Sequence, residues 1–257
     1  MSDFFNNKTV LITGAHGFVG KNLVGFLDGN GSTLLTPDKH ELNLVDQQST
    51  CKYFKENQID IVVHLAGLVG GIWANKNALG DFFYQNAMMG INALHYSYES
   101  GVKKFVGLAA GCGYPDTKIP YSEDNFWDLE SSHVVPALVR KFIESDGTVS
   151  VWGSGKASRE FIYVEDVCRA ISDCCKIPDL KGPYNLGTGK ETSVLDLVET
   201  IKDITGFDGK ISWDTSKPDG QVRRYYDMSK FKEDIGYVPS TSLREGLVNT
   251  INWYRKK

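Results

Sequence analysis

Three glycines at G-x-x-G-x-x-G spacing, Gly14, Gly17 and Gly20, are the residues of this 257-residue chain whose type and spacing imply chemistry most directly. That chemistry is anion binding. Gly14 permits a tight turn, Gly17 leaves room for a phosphate to reach the backbone, and Gly20 lets a helix pack closely on a strand. The apolar run Val10-Leu11-Ile12 precedes the turn and an amphipathic stretch, 21–27, follows it. The helix N-terminus then offers free N–H groups and partial positive charge to a dinucleotide pyrophosphate. His16, Phe18 and Val19 fill the turn and are candidate cofactor contacts with the glycines. Further on, Asp38 and Lys39 are adjacent. At that place an acid takes a ribose 2′-hydroxyl and a base takes a 2′-phosphate, so spacing alone leaves NAD and NADP both open.

The elements that must position these residues follow in order. A second strand is expected over 32–36, a helix over 46–57, and a third strand over 59–66, whose continuous apolar character predicts burial on both faces. Its end runs into a glycine-rich loop, 67–71, on the side where ligands of open parallel sheets sit. A long helix over 81–100 stops at Gly101, and a fourth strand covers 104–109. Ala66, Leu108, Ala109 and Ala110 close the third and fourth strands and join the candidate cofactor contacts. Beyond 131, helices are expected over 133–144, 164–176 and 193–205, and from Ser242, where Glu245 completes a capping-box pattern. Strands are expected over 148–152 and 210–213, with a short extended piece at 184–186. The fold class is α/β, a Rossmann-like doubly wound parallel sheet with a smaller C-terminal α/β cap. Residues 1–130 form the dinucleotide-binding domain and 131–257 the cap, interleaved with it.

Apolar content of 41% and charged content of 23% are ordinary for a globular protein. A net charge of −4 gives no reason to expect nucleic acid or a membrane surface. Residues 1–7 lack a basic start and an apolar core, so no signal peptide is expected. The longest apolar run, 61–74, is too short to cross a bilayer. The five cysteines, Cys51, Cys112, Cys168, Cys174 and Cys175, are odd in number and show no C-x-x-C spacing. They read as reduced thiols in a cytoplasmic protein, with no metal site.

Several segments together resemble the GDP-L-fucose synthase family of extended short-chain dehydrogenases/reductases. They are GAHGFVG (14–20), HELNLVD (40–46), HLAGLVGGIWAN (64–75), DFFYQN (81–86), GCGYP (111–115), SSHVVPALVRK (131–141), VWGSGKASREFIYVEDV (151–167), NLGTG (185–189) and SKPDGQVRR (216–224). The resemblance implies NADPH-dependent 3,5-epimerisation and 4-reduction of GDP-4-keto-6-deoxy-D-mannose to GDP-L-fucose in a homodimer. It also makes the 131–257 cap a nucleotide-sugar-binding one. It assigns the epimerisation to Cys112 and His133, a thiol and an imidazole that can both exchange protons near neutral pH. Without the motifs, Cys112 reads as a small apolar residue at a strand end and His133 as a helix N-terminal residue. The resemblance further implies substrate contacts at Lys141, Trp152, Arg159 and Lys217, and a contact of Lys39 with a 2′-phosphate, hence NADP(H). Tyr163 and Asp166 read as structural.

One family feature is missing. These enzymes reduce ketones with Tyr-x-x-x-Lys on a helix. Tyr114 and Lys118 have the spacing but span Pro115, which disfavours a helix. Tyr226 and Lys230 have it too, in a segment aligned with a non-catalytic part of the family. From Ala109 to His133 is 133 − 109 = 24 residues, where a βαβ crossover needs roughly 30 or more. One strand and one helix of the usual fold are therefore expected to be absent. The family's Ser two places before the Cys is replaced by Ala110. Reduction is expected to be impaired. The alternatives are a catalytically degenerate nucleotide or nucleotide-sugar binding protein, or an epimerase of another nucleotide sugar.

Overall fold

The computed structural model describes residues 3–70, 78–109, 134–217, 219 and 222–256. The chain divides into two compact units. The first holds Met1–Val69, Asn75–Ala109 and Val164–Pro183, and the second holds Gly70–Ala74, Ala110–Tyr163 and Tyr184–Lys257. A helix from the second half of the sequence thus belongs to the first unit. The 130/131 division falls in residues outside those described.

The first unit is built on a parallel sheet. Strands β1 (Thr9–Thr13), β2 (Thr33–Leu35), β3 (Ile61–His64) and β4 (Lys104–Gly107) lie in the order β2-β1-β3-β4, with Leu11 opposite both Leu35 and Val62. Helices α1 (Phe18–Leu27), α2 (Gln47–Glu56), α3 (Leu79–Glu99) and α5 (Val164–Lys176) complete the unit. Leu11 and Val62 share a cluster with Phe54 of α2 and Ala93 of α3. Alternation along a strand sends Val10, Ile12, Ile61 and Val63 to the opposite face. All four are 0–1% exposed, and on the helical side α1 packs against α5. Burying side chains of this kind stabilises by roughly 1.5–3 kcal/mol each. Covered on both faces, the sheet is Rossmann-like, as expected. Among the described residues it has four strands, with β4 at its edge. The region where a further strand would begin, 110–133, lies outside the described residues.

Helix ends follow the sequence closely. The Asp46 side chain accepts from the Gln48 N–H at 2.8 Å and caps α2. Gly101, at φ +72°, terminates the turn after α3.

In the second unit α4 (Val134–Glu144), α6 (Val194–Thr205) and α8 (Leu243–Tyr254) enclose a core with β5 (Thr148–Trp152) and β8 (Lys210–Asp214), which pair in parallel. Leu138, Val139, Val149, Val151, Leu197 and Ile251 are its centre. Ser193 and Ser242 cap α6 and α8, each accepting the N–H three residues on. Three elements differ from expectation. Strands β6 (Ser158–Glu160) and β7 (Glu191–Ser193) pair antiparallel, and a short helix α7 covers Ser229–Ile235. The 184–186 piece lies outside any regular element, with the Asn185 side-chain amide donating to the Asp227 carbonyl at 3.1 Å.

Candidate functional site

The glycine turn separates what folding requires from what a ligand requires. Gly14 sits at φ +69°, and a Cβ there would lie 2.7 Å from the Ala66 nitrogen and the Leu65 carbonyl carbon. A Cβ on Gly20 would lie 2.2 Å from the Gly14 oxygen. Both positions exclude any side chain. Gly17 has φ −76° and only one neighbour within contact, the Gly14 oxygen at 3.2 Å from an added Cβ. The fold itself asks little of Gly17; what its missing side chain leaves open is the approach to α1. That helix starts with no side-chain cap and no acid in its first turn, so its N-terminal N–H groups and dipole suit an anion. His16 reaches the Thr36 carbonyl at 3.2 Å, Phe18 is 41% exposed, and Val19 is half-buried.

A pair the sequence reading missed fixes the neighbouring backbone. The buried Thr13 hydroxyl oxygen accepts from the Leu65 and Ala66 N–H groups at 3.2 and 3.3 Å. Its own proton therefore goes to His64 Nδ1, 2.8 Å away. Burial pushes the His64 imidazole down to about 4, so it is neutral and suited to accept. This arrangement holds Ala66 against Gly14. One residue past β4, the Leu108 N–H bonds the His64 carbonyl at 3.0 Å, and Leu108 and Ala109 are exposed.

Asp38 and Lys39 have different surroundings. The Asp38 carboxylate accepts from the His40 and Glu41 N–H groups at 2.7 and 3.0 Å, and Glu41 accepts from the Asp38 N–H. Those backbone bonds hold the Asp38 carboxyl below its usual value. Asp38 is engaged in its own turn, whereas exposed Lys39 makes no hydrogen bond or ion pair among the described residues. The residues present fit a dinucleotide, and the free cation suits a 2′-phosphate.

In the second unit Lys141 and Lys217 meet at Trp152, at the end of β5, while Arg159 is linked to the turn after Trp152 through Asp219. Trp152 is 46% exposed. The Lys217 ammonium lies 5.1 Å from the Trp152 ring centroid and the Lys141 ammonium 5.8 Å, both within cation–π range. Lys141 also donates to the Ser150 carbonyl at 2.8 Å, and burial lowers its pKa. Arg159, half-buried with its pKa lowered by that burial, donates to the Ser158 carbonyl at 2.7 Å and to the Asp219 carbonyl at 3.4 Å. Two ammonium groups at an exposed indole suit a phosphorylated ligand.

Cys112, His133 and Ala110 lie outside the described residues, as do Tyr114 and Lys118. Tyr226 precedes α7, with its N–H on the Glu160 carboxylate at 2.9 Å, while the Lys230 ammonium lies 4.3 Å from the Tyr184 ring. They do not form a Tyr-Lys pair on one helix. No cluster able to hold a metal occurs among the described residues, and none of their helices is long and apolar enough to cross a membrane.

A profile of the NAD dependent epimerase/dehydratase family matches residues 10–126 and 120–187. GDP-L-fucose synthase 1 of Arabidopsis thaliana is 33% identical over 313 positions, covering 100% of this chain and 95% of its own length. Two solved structures resemble the fold over nearly the whole of both chains. A GDP-6-OMe-4-keto-L-xylo-heptose reductase from C. jejuni has a TM-score of 0.85 at 26% identity, covering 100% of this chain and 99% of its own. MlghC, a GDP-mannoheptose C4 reductase from Campylobacter jejuni with NADP bound, has 0.83 at 27%, covering 99% of each. Against the plant relative, 313 − 257 = 56, so about 56 aligned positions have no counterpart here. The two family matches meet at 120–126, inside the short Ala109–His133 stretch. With its glycine turn, its parallel sheet and these two matches, the chain belongs to the NAD dependent epimerase/dehydratase family.

Proposed function

We propose that this chain binds NADP(H) at the Gly14–Gly20 turn and a GDP-sugar at the Trp152 site. Its reaction is that of the GDP-L-fucose synthases on GDP-4-keto-6-deoxy-D-mannose, with epimerisation retained and reduction crippled. The observation that carries this reading is the placement of the Lys141 and Lys217 ammonium groups at Trp152. In the family reaction the 4-keto group acidifies the hydrogens on the carbons beside it. Cys112 and His133 take the epimerising roles: one removes a proton and the other returns one to the opposite face. The hydride for the ketone comes from bound nicotinamide, but its oxygen needs a proton donor that the missing Tyr-x-x-x-Lys helix would supply. The heptose reductases above favour a second reading of the sugar alone, another GDP-4-keto sugar at the same site.

The partner is a second copy of the chain. Phe83, Ile91, Leu94 and Tyr98 of α3 recur at helical spacing and are 55–82% exposed. Between Asp81 and Glu99 the helix carries no Lys, Arg, Asp or Glu. With Leu79 and Tyr84 the stripe offers roughly 700 Å² of apolar side chain, near the ~800 Å² per partner of a standard interface.

Titration of NADPH, NADH and GDP against tryptophan fluorescence tests the two sites. Saturable binding of NADPH and GDP, with NADH weaker, is expected. Absence of GDP binding would overturn the substrate reading, and equal affinity for the two dinucleotides would overturn the role of Lys39.

A further inference from the structure

Asp219 bonds the turn after Trp152 and the β6 residue Arg159, two segments that carry candidate substrate residues. Its carboxylate accepts from the Ser154 N–H at 2.6 Å and from the Ser154 hydroxyl at 2.8 Å. Those bonds hold the Asp219 carboxyl below its usual value. Its backbone carbonyl accepts from Arg159 at 3.4 Å. Ser154 lies in a turn between Gly153 and Gly155, both with positive φ, immediately after Trp152. A Cβ on Gly153 would lie 2.3 Å from the Asp219 carboxylate oxygen, so this turn and Asp219 touch with no room for a side chain. Lys217, two residues before Asp219, has its ammonium on the Trp152 ring.

We propose that Asp219 is a positioning residue for the phosphate-binding cations. By clamping its own loop to the turn after Trp152, it holds Lys217 over the indole before any ligand arrives. Two lysines on long flexible stems lose much rotamer freedom when they engage an anion; a clamp fixed in advance removes part of that cost. The inference rests on the GDP-sugar reading of the Trp152 site and adds a residue to it. A second expectation follows from the charge. Asp219 faces Lys156 and Arg159 electrostatically, so its anion also balances a cationic rim that would otherwise repel Lys217 from its place.

A double-mutant cycle on the full-length protein tests this, with GDP and GMP as the probes and thermal unfolding as the fold control. Asp219→Ala should weaken GDP binding about tenfold, and Ser154→Ala, which leaves the N–H bond, about two- to threefold. Asp219→Asn, which keeps an acceptor for that N–H, should recover part of the loss. The distinguishing readout is coupling: on a Lys217→Ala background, Asp219→Ala should cost almost nothing further. The preference for GDP over GMP should shrink in Asp219→Ala, which a general loosening of the unit would not produce. Equal losses on both backgrounds, or unchanged GDP binding in Asp219→Ala, would overturn the clamp and leave the site reading standing. No GDP binding by the unaltered protein would overturn the site reading and the clamp with it.

Discussion

Gly17 is the residue at which binding and folding make separable demands. An added side chain there meets little protein and would occupy the approach to the helix N-terminus. Gly17→Val should abolish NADPH binding with only a small change in Tm. Gly20→Ala should do the reverse first, costing about 1–3 kcal/mol of stability, because its Cβ collides with the Gly14 carbonyl. Lys39→Ala should lower NADPH affinity about tenfold and leave NADH unchanged, measured by the same titration. His64 sets a pH dependence. Unfolded, its imidazole ionises near its ordinary 6.5; folded, at about 4. Between those values the unfolded chain binds more protons, so His64 favours unfolding as pH falls from 6.5 toward 4. Its contribution over that window is about 3 kcal/mol. The urea-unfolding free energy of His64→Gln should fall less steeply there than that of the unaltered protein; parallel profiles would contradict the burial argument. The glycines were legible in the sequence because their roles are set by local backbone geometry. The Thr13–His64 and Ser154–Asp219 pairs were not, since their partners stand 51 and 65 positions apart and only the fold unites them.

Among the elements, α3 makes the sharpest statement. Its buried face is polar as well as apolar, with Asn92 donating to the Leu44 carbonyl at 2.9 Å, while its outer face is the uncharged stripe of Phe83, Ile91, Leu94 and Tyr98. Replacing both Phe83 and Tyr98 with Lys should convert a dimer to monomer in light scattering, without loss of NADPH binding; a dimer that persists would place the interface elsewhere. Sequence periodicity located α3, β5 and α5 to within two residues because their apolar patterns are strong. It missed β6, β7 and α7, each seven residues or shorter. Tertiary hydrogen bonds fix elements of that length, as when the β6 residue Ser158 and Arg223 both bond the Glu191 carboxylate.

At the scale of the whole molecule, the family reaction divides along the two halves of its chemistry. The residues proposed to bind dinucleotide and nucleotide phosphate are present in the sequence, as are Cys112 and His133, the proposed epimerising pair. On the proposed reading, the Tyr-x-x-x-Lys proton donor for reduction is absent from this chain, which has no counterpart for about 56 positions of its alignment with the plant relative. General acid catalysis contributes about 10²–10⁴-fold, so its loss should suppress hydride transfer while leaving proton exchange beside the ketone. The direct measurement is incubation of GDP-4-keto-6-deoxy-D-mannose with the protein in deuterated water, with and without NADPH. Deuterium entering the carbons beside the ketone, blocked by Cys112→Ser and accompanied by almost no NADPH oxidation, is the result expected. Rapid NADPH oxidation yielding GDP-L-fucose, or no exchange at all from a protein that binds both ligands, would contradict it.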